Sequence, residues 1–236
     1  MNIEVVLLPE YLRPGQLTGK IAVIFDVLRA TTSMTAALDV GVKEIRIFSS
    51  IDSARAAAER EADRPLLCGE SKCLKPPGFD LGNSPGAFSA EHRDRIMFMA
   101  TTNGTKAILA ARESAGRFIA SLANASAVAK AINDEQRDVV LLCAGTGGEI
   151  ALEDVIGAGA IVDRLKGEPS DTAQIAARVY RQSANHLEEA LASSRGGRNV
   201  IAAGLGDDVK FAARIDSVHS VGRVIEHAQG TSVVLR

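Results

Sequence analysis

The stretch Ile21-Ala22-Val23-Ile24-Phe25-Asp26-Val27-Leu28-Arg29-Ala30-Thr31-Thr32 decides the fold. Five apolar residues follow one another without a polar break, as in a strand buried on both faces. An acid, an arginine and two threonines come next, and a helix is expected over Ser33–Asp39. A doubly covered strand leading into a helix is the unit of an α/β fold.

The same alternation extends in both directions. Strands are expected at Ile3–Leu8, Glu44–Phe48, Leu66–Cys68, Ile96–Met99, Arg117–Ala120 and Val139–Cys143. Helices are expected between them at Asp52–Ala62, Gly104–Arg112, Ala125–Ile132 and Leu152–Leu165, with Asp52 as an N-cap. The last third reads differently. Thr172–Ser194 suggests one long helix, Arg195-Gly196-Gly197-Arg198 a glycine-rich turn, and Val200–Gly204 and Asp207–Ile215 two short helices. Val221–Ile225 and Ser232–Leu235 suggest closing strands. The expected architecture is a three-layer α/β fold: a mainly parallel sheet with helices on both faces and a helix-rich C-terminal third. With no repeat, low-complexity tract or long linker, one domain is expected over residues 1–236. Gly69–Pro85 is the longest irregular stretch, and a loop of that length in a compact domain is usually functional.

Composition narrows the function. The chain has 236 residues, 46% hydrophobic and 24% charged, with a formal net charge of −2. That balance argues against nucleic-acid binding, as does the absence of Trp with only 2 Tyr and 7 Phe for stacking. The amino terminus lacks a basic segment followed by an apolar run, and no apolar stretch approaches the roughly 18 residues of a membrane span. Cys68, Cys73 and Cys143 form no C-x-x-C pattern. A reduced, cytoplasmic protein without a membrane partner is expected. A homo-oligomer is left open.

Ligands of open α/β sheets bind beyond the carboxyl ends of the strands. Polar residues gather there in this chain. Thr101-Thr102-Asn103-Gly104-Thr105-Lys106 supplies hydroxyls, backbone N–H groups, a helix amino end and a cation, which together suit an anion. Arg29 offers a two-pronged contact to an oxyanion. Asp26, Glu70, Glu153 and Asp154 offer hard oxygens to a cation such as Mg²⁺. An anion cradle beside a carboxylate cluster is the equipment of phosphoryl chemistry. Each feature also has a structural alternative: Thr31 and Thr32 as helix caps, Glu153 and Asp154 as first-turn acids, Cys143 as a buried small hydrophobe.

Three familiar motifs fail. Gly82-Asn83-Ser84-Pro85-Gly86 matches a nucleophile elbow in spelling, but Pro85 has no N–H for the oxyanion hole. Gly145-Thr146-Gly147-Gly148-Glu149-Ile150 lacks the third glycine of a dinucleotide fingerprint, which disfavours a nucleotide-dependent enzyme. Asp26-Val27-Leu28 lacks the second acid of an aspartyl-phosphate loop, so a covalent Asp26 nucleophile lacks support.

Taken together, Asp26-Val27-Leu28-Arg29-Ala30-Thr31-Thr32, Gly78-Phe79-Asp80-Leu81-Gly82-Asn83-Ser84-Pro85, Thr101-Thr102-Asn103-Gly104-Thr105, Cys143-Ala144-Gly145-Thr146, Leu152-Glu153-Asp154 and Asp207-Asp208-Val209-Lys210-Phe211 resemble the 2-phosphosulfolactate phosphatase (ComB) family, in order and over most of the chain. The resemblance implies a Mg²⁺-dependent hydrolase that converts 2-phospho-3-sulfolactate to 3-sulfolactate and phosphate, a step serving coenzyme M biosynthesis in methanogens. Where that family leads one to expect Arg after Gly69-Glu70, this chain has Ser71 and Lys72. The expected roles are therefore as follows. Asp26, Arg29 and Asp80 are catalytic. Thr31, Thr32, Asn83, Ser84, Thr101, Thr102, Asn103, Gly104, Thr105, Lys106 and Asn124 bind substrate. Asp26, Glu70, Glu153 and Asp154 hold the metal. The competing expectation is a non-catalytic binding protein for a phosphorylated or sulfonated metabolite.

Overall fold

A computed structural model describes all residues, Met1–Arg236. Ten strands form one sheet in the order β4-β5-β3-β10-β9-β6-β2-β7-β1-β8. They are β1 (Asn2–Val6), β2 (Ile21–Phe25), β3 (Glu44–Ile47), β4 (Leu66–Gly69), β5 (Ile96–Ala100), β6 (Gly116–Ala120), β7 (Val139–Cys143), β8 (Glu168–Pro169), β9 (Gly222–His227) and β10 (Gly230–Leu235). Six of the nine pairings are parallel. The helices are α1 (Ala30–Asp39), α2 (Ile51–Ala58), α3 (Gly104–Ala110), α4 (Ala125–Glu135), α5 (Leu152–Val162), α6 (Asp171–Ser183), α7 (Leu187–Ser193), α8 (Arg195–Ala202) and α9 (Gly206–Ala212).

The run that opens the sequence reading forms β2, between β6 and β7, with every residue buried. Alternate side chains serve opposite faces, as pleating requires. Val23 and Phe25 join Val128 and Ile132 of α4 and Ile156 of α5 in one core. Ala22 and Ile24 join Met34 and Leu38 of α1 and Ile108 of α3 in the other. These are the three layers. No helix is long and apolar enough to cross a membrane.

Antiparallel pairing of β9 with β6, β10 with β9 and β3 with β10 reverses the sheet's direction. Strands β3, β5 and β4 therefore run opposite to β6, β2, β7 and β1. A flat sheet would send the carboxyl ends of the two blocks to opposite edges. Yet Gly104, just beyond β5, packs against Ala30 and Asp26, just beyond β2. The sheet curls, and Ile45, Met97 and Met99 of one block share a core with Ile24 and Leu142 of the other. The polar ends of both blocks thereby meet.

Two expectations are corrected in the last third. The segment expected as one helix over 172–194 is α6 and α7, separated at Ala184–His186. The glycine-rich turn at 195–198 is the first turn of α8, with Ser194 as its N-cap accepting the Gly197 N–H at 2.9 Å. Its glycines permit packing: a Cβ on Gly196 would overlap Glu153, and one on Gly197 would overlap the Leu191 carbonyl.

Candidate active site

The ends of β2, β4, β5 and β7 surround a cavity of about 220 Å³. Asp26, Glu70, Asn103 and Thr146 line it from these four ends, with Arg29, Lys72, Cys73, Asn83, Thr102, Arg195 and Asn199.

Asp26 is held between two helix starts. Its Oδ1 accepts the Ala30 N–H at the beginning of α1, and the Gly104 N–H at the beginning of α3 lies near enough to favour its charged form. Gly104 has to be glycine here: a Cβ would lie 2.5 Å from the Ala30 Cβ and 2.7 Å from Asp26 Oδ2. Burial pushes the Asp26 carboxyl up to about 7, and the charges of Glu70 and Glu153 push the same way, against the pull of the two N–H donors. The threonines expected to hold substrate brace this arrangement. Thr31 Oγ1 accepts the Asp26 N–H at 3.0 Å, Thr32 donates to the Val27 carbonyl, and Thr105 donates to the Thr101 carbonyl.

Arg29 is buried and committed on three sides. Nη1 donates to Asp208 Oδ2 at 2.6 Å and to Ser84 Oγ at 3.2 Å, and Nη2 donates to the Cys73 carbonyl. Ser84 Oγ also donates to Asp208. The Leu28–Arg29 peptide is cis. A guanidinium has five N–H donors, so two remain for a bound anion.

Glu70 ties two loops together. Oε1 accepts the Thr102 N–H and hydroxyl at 2.8 and 2.6 Å, and Oε2 accepts the Cys73 N–H at 2.9 Å. Asp154 is turned away from the cavity as a staple between strand ends, accepting the Val27 N–H at 2.8 Å and the Gly145 N–H at 3.0 Å. Burial, reinforced by Glu153 and Asp26, pushes its carboxyl well above the usual carboxylate range. Glu153 lies behind Thr146, whose hydroxyl donates to Oε1 at 3.3 Å, while its Oε2 is buried without a partner. The expected meeting of four carboxylates is thus corrected. Asp26 and Glu70 share the cavity, Glu153 and Asp154 do not line it, and no three acidic side chains are placed to hold one metal ion.

Other expected residues lie elsewhere. Asp80 accepts the Leu67 N–H and Arg64, both at 2.9 Å, outside the cavity lining. Asn124 caps a turn through the Ser121 N–H and donates to the Ser220 carbonyl. Lys106 lines an adjoining hollow with Ser49, Ser50 and Ser71, which shares Glu70 and Thr102 with the cavity. Asn83 stays: it is only 3% exposed, lines the cavity, and its Oδ1 has no partner.

Sequence reasoning noted Lys72 without assigning it to the site and missed Arg195 and Asn199; all three are in the lining. Only α8 brings Arg195 and Asn199 there, and reading its first turn as a loop concealed them. Asp208 was noted within a motif, but no role was assigned to it. An acid beside an apolar Val209 and Phe211 was the available signal.

This site belongs to a chain whose residues 6–227 match a family model described as 2-phosphosulpholactate phosphatase. The chain belongs to the 2-phosphosulfolactate phosphatase family. A "Probable 2-phosphosulfolactate phosphatase" of Symbiobacterium thermophilum is 36% identical over 210 residues, 86% of this chain and 90% of the relative. Relatives of the same name from Thermus thermophilus and Carboxydothermus hydrogenoformans are 39% and 36% identical, over 83% and 92% of this chain and 84% and 90% of their own lengths. This 2-phosphosulfolactate phosphatase family member is accordingly a phosphoric monoester hydrolase, and the reading as a non-catalytic binding protein falls.

Proposed function

We propose that the cavity hydrolyses 2-phospho-3-sulfolactate to 3-sulfolactate and phosphate with the help of Mg²⁺. The observation that carries the reading is the position of Asp26. It is a buried carboxylate between two helix starts, in a cavity shared with Glu70 and Arg29, in a chain of this family. A cavity of about 220 Å³ suits a small ester and excludes a macromolecule from the reacting end.

Asp26 and Glu70 are a suitable pair for the ion, because Mg²⁺ takes one or two protein carboxylates and keeps waters and phosphate oxygens for its other positions. A bound Mg²⁺ supplies charge neutralisation to the phosphoryl oxygens. The chain's own groups do the rest. The two remaining N–H groups of Arg29 bind phosphoryl oxygens, and Asp208, Ser84 and the Cys73 carbonyl fix the plane of the guanidinium. Donors fixed in advance need not reorganise as charge develops, which is the largest source of catalysis in such sites. Asn83 Oδ1, an acceptor without a donor, suits the attacking water and orients it.

Phosphate release from a panel of phosphorylated hydroxy acids, with Mg²⁺ and with a chelator, tests the reading. Preference for 2-phospho-3-sulfolactate, lost on chelation, supports it. Equal release with chelator present contradicts the metal, and no release from any ester contradicts the activity.

A further inference from the structure

We propose that Lys72 binds the acid group of the substrate that does not react, and so sets which phosphate esters the cavity prefers. This deepens the phosphatase reading above and rests on it.

Three cations line the cavity: Arg29, Lys72 and Arg195. Arg29 is neutralised by Asp208 at 2.6 Å, with neither side chain more than 8% exposed. Arg195 pairs with Glu149. Lys72 makes no ion pair and no side-chain hydrogen bond; it is the lining cation whose charge the protein does not use. Asp26 and Glu70 line the same small space, and the two carboxylates would offset the charge of the Mg²⁺ proposed between them. A substrate bearing a phosphate and further acid groups needs a positive charge beyond the one that serves the phosphate.

Lys72 is also held in place. Lys72 and Cys73 both have left-handed backbone, with φ of 51° and 68°. Side chains seldom adopt that conformation, and it persists where the surroundings enforce it. Here Ser71 and Leu74 exchange backbone hydrogen bonds of 3.0 and 3.1 Å across the turn. Glu70 receives the Cys73 N–H, and Arg29 donates to the Cys73 carbonyl. The turn that presents Lys72 is therefore fastened to a proposed metal-binding carboxylate and to the proposed phosphate-binding arginine. The backbone of Lys72 is placed relative to the reacting group, and the flexible stem lets the ammonium reach a bound anion from there.

The type of cation limits what it can distinguish. An ammonium is a point charge with rotatable donors, whereas a guanidinium matches planar, two-oxygen geometry. Lys72 should attract a tetrahedral sulfonate and a planar carboxylate alike. The cavity would then favour acidic esters over neutral ones without a sharp choice between the two acids.

The two reaction products separate this role from a general one. Titration calorimetry of 3-sulfolactate and of inorganic phosphate, on wild type and Lys72→Met in the presence of Mg²⁺, reads the two ends of the substrate independently and needs no turnover. Lys72 is exposed, so the substitution should leave the fold intact, and Lys72→Arg is the charge-retaining control. A hydrogen bond to a charged group contributes about 1.5–3 kcal/mol, so Lys72→Met should weaken 3-sulfolactate about 10- to 150-fold. Phosphate affinity should change less than about twofold, and Lys72→Arg should restore most of the loss. In turnover of 2-phospho-3-sulfolactate the damage should fall on KM more than on kcat. Equal weakening of both products, no change in either, or no binding of 3-sulfolactate to wild type would overturn the proposal. Failure of the phosphatase reading would appear separately, as product binding without phosphate release from the ester.

Discussion

Arg29 Nη1 lies 2.6 Å from Asp208 Oδ2, joining the turn after β2 to α9 across 179 residues of sequence. Both groups are buried, so the pair couples the C-terminal helices to the site. Removing one partner of a buried pair leaves the other charge without compensation, at a cost of about 3–5 kcal/mol. Asp208→Ala should be destabilised by about that amount in urea unfolding. A loss under 1 kcal/mol would mean that the guanidinium finds another partner or reaches water.

Arg29→Lys keeps the charge but cannot span Asp208, Ser84 and the Cys73 carbonyl while also donating to a phosphate. Loss of a preorganised donor costs about 10²–10³ in kcat. Steady-state kinetics should show a fall of that order in variant protein shown to be folded by its melting curve. Near-wild-type kcat/KM would remove Arg29 from the phosphate.

Asp26 gives stability a pH dependence of defined sign. Its carboxyl rises from 3.8 to about 7 on folding, so the folded state holds the proton more tightly. The group's contribution is full below the unfolded value and is lost as pH climbs through about 7. Asp26→Asn has no such titration. Without divalent cations, wild type should lose stability relative to Asp26→Asn progressively between about pH 4 and pH 7, and the difference should level off above that. A shift of about three units corresponds to at most about 4 kcal/mol. A difference in melting temperature that does not vary with pH would contradict this.

Cys143 ends β7 fully buried, and burial, with Asp154 and Glu153 nearby, pushes its thiol well above the usual range. It is a poor nucleophile in that state. Cys143→Ser should therefore retain at least about a tenth of wild-type kcat in its folded fraction, since no interaction made in the transition state is lost. A loss of three orders of magnitude would identify Cys143 as a nucleophile.

How much could be read from sequence follows from range. The apolar run of β2 declares its strand locally, and the polar residues after it could be assigned to a site because parallel strands present their carboxyl ends to ligands. The insertion of β9 and β10 between β3 and β6 is invisible to periodicity, because register across distant strands leaves no local signal. Asp26 and Glu70 were thus recognised as candidates without the curl that brings their strands together. Glu153 and Asp154 could not be told apart from ligands in sequence, because an acid turned toward a metal and one turned toward backbone N–H groups look the same. Gly196 and Gly197 read as a turn because glycine is a poor helix former, whereas here it is selected by close approach to Glu153 and Leu191. That misreading hid Arg195. Lys72 was noted in sequence, but its place in the cavity depends on a turn conformation that its neighbours do not announce.

Phosphate ester hydrolysis is assigned to the cavity around Asp26. The most direct measurement is phosphate release from 2-phospho-3-sulfolactate by wild type and Asp26→Asn, side by side in Mg²⁺, with folding checked by circular dichroism. Wild type should turn the ester over, and kcat should fall by about 10²–10³ or more in folded Asp26→Asn. Turnover by Asp26→Asn within a few-fold of wild type would place the chemistry elsewhere in the molecule.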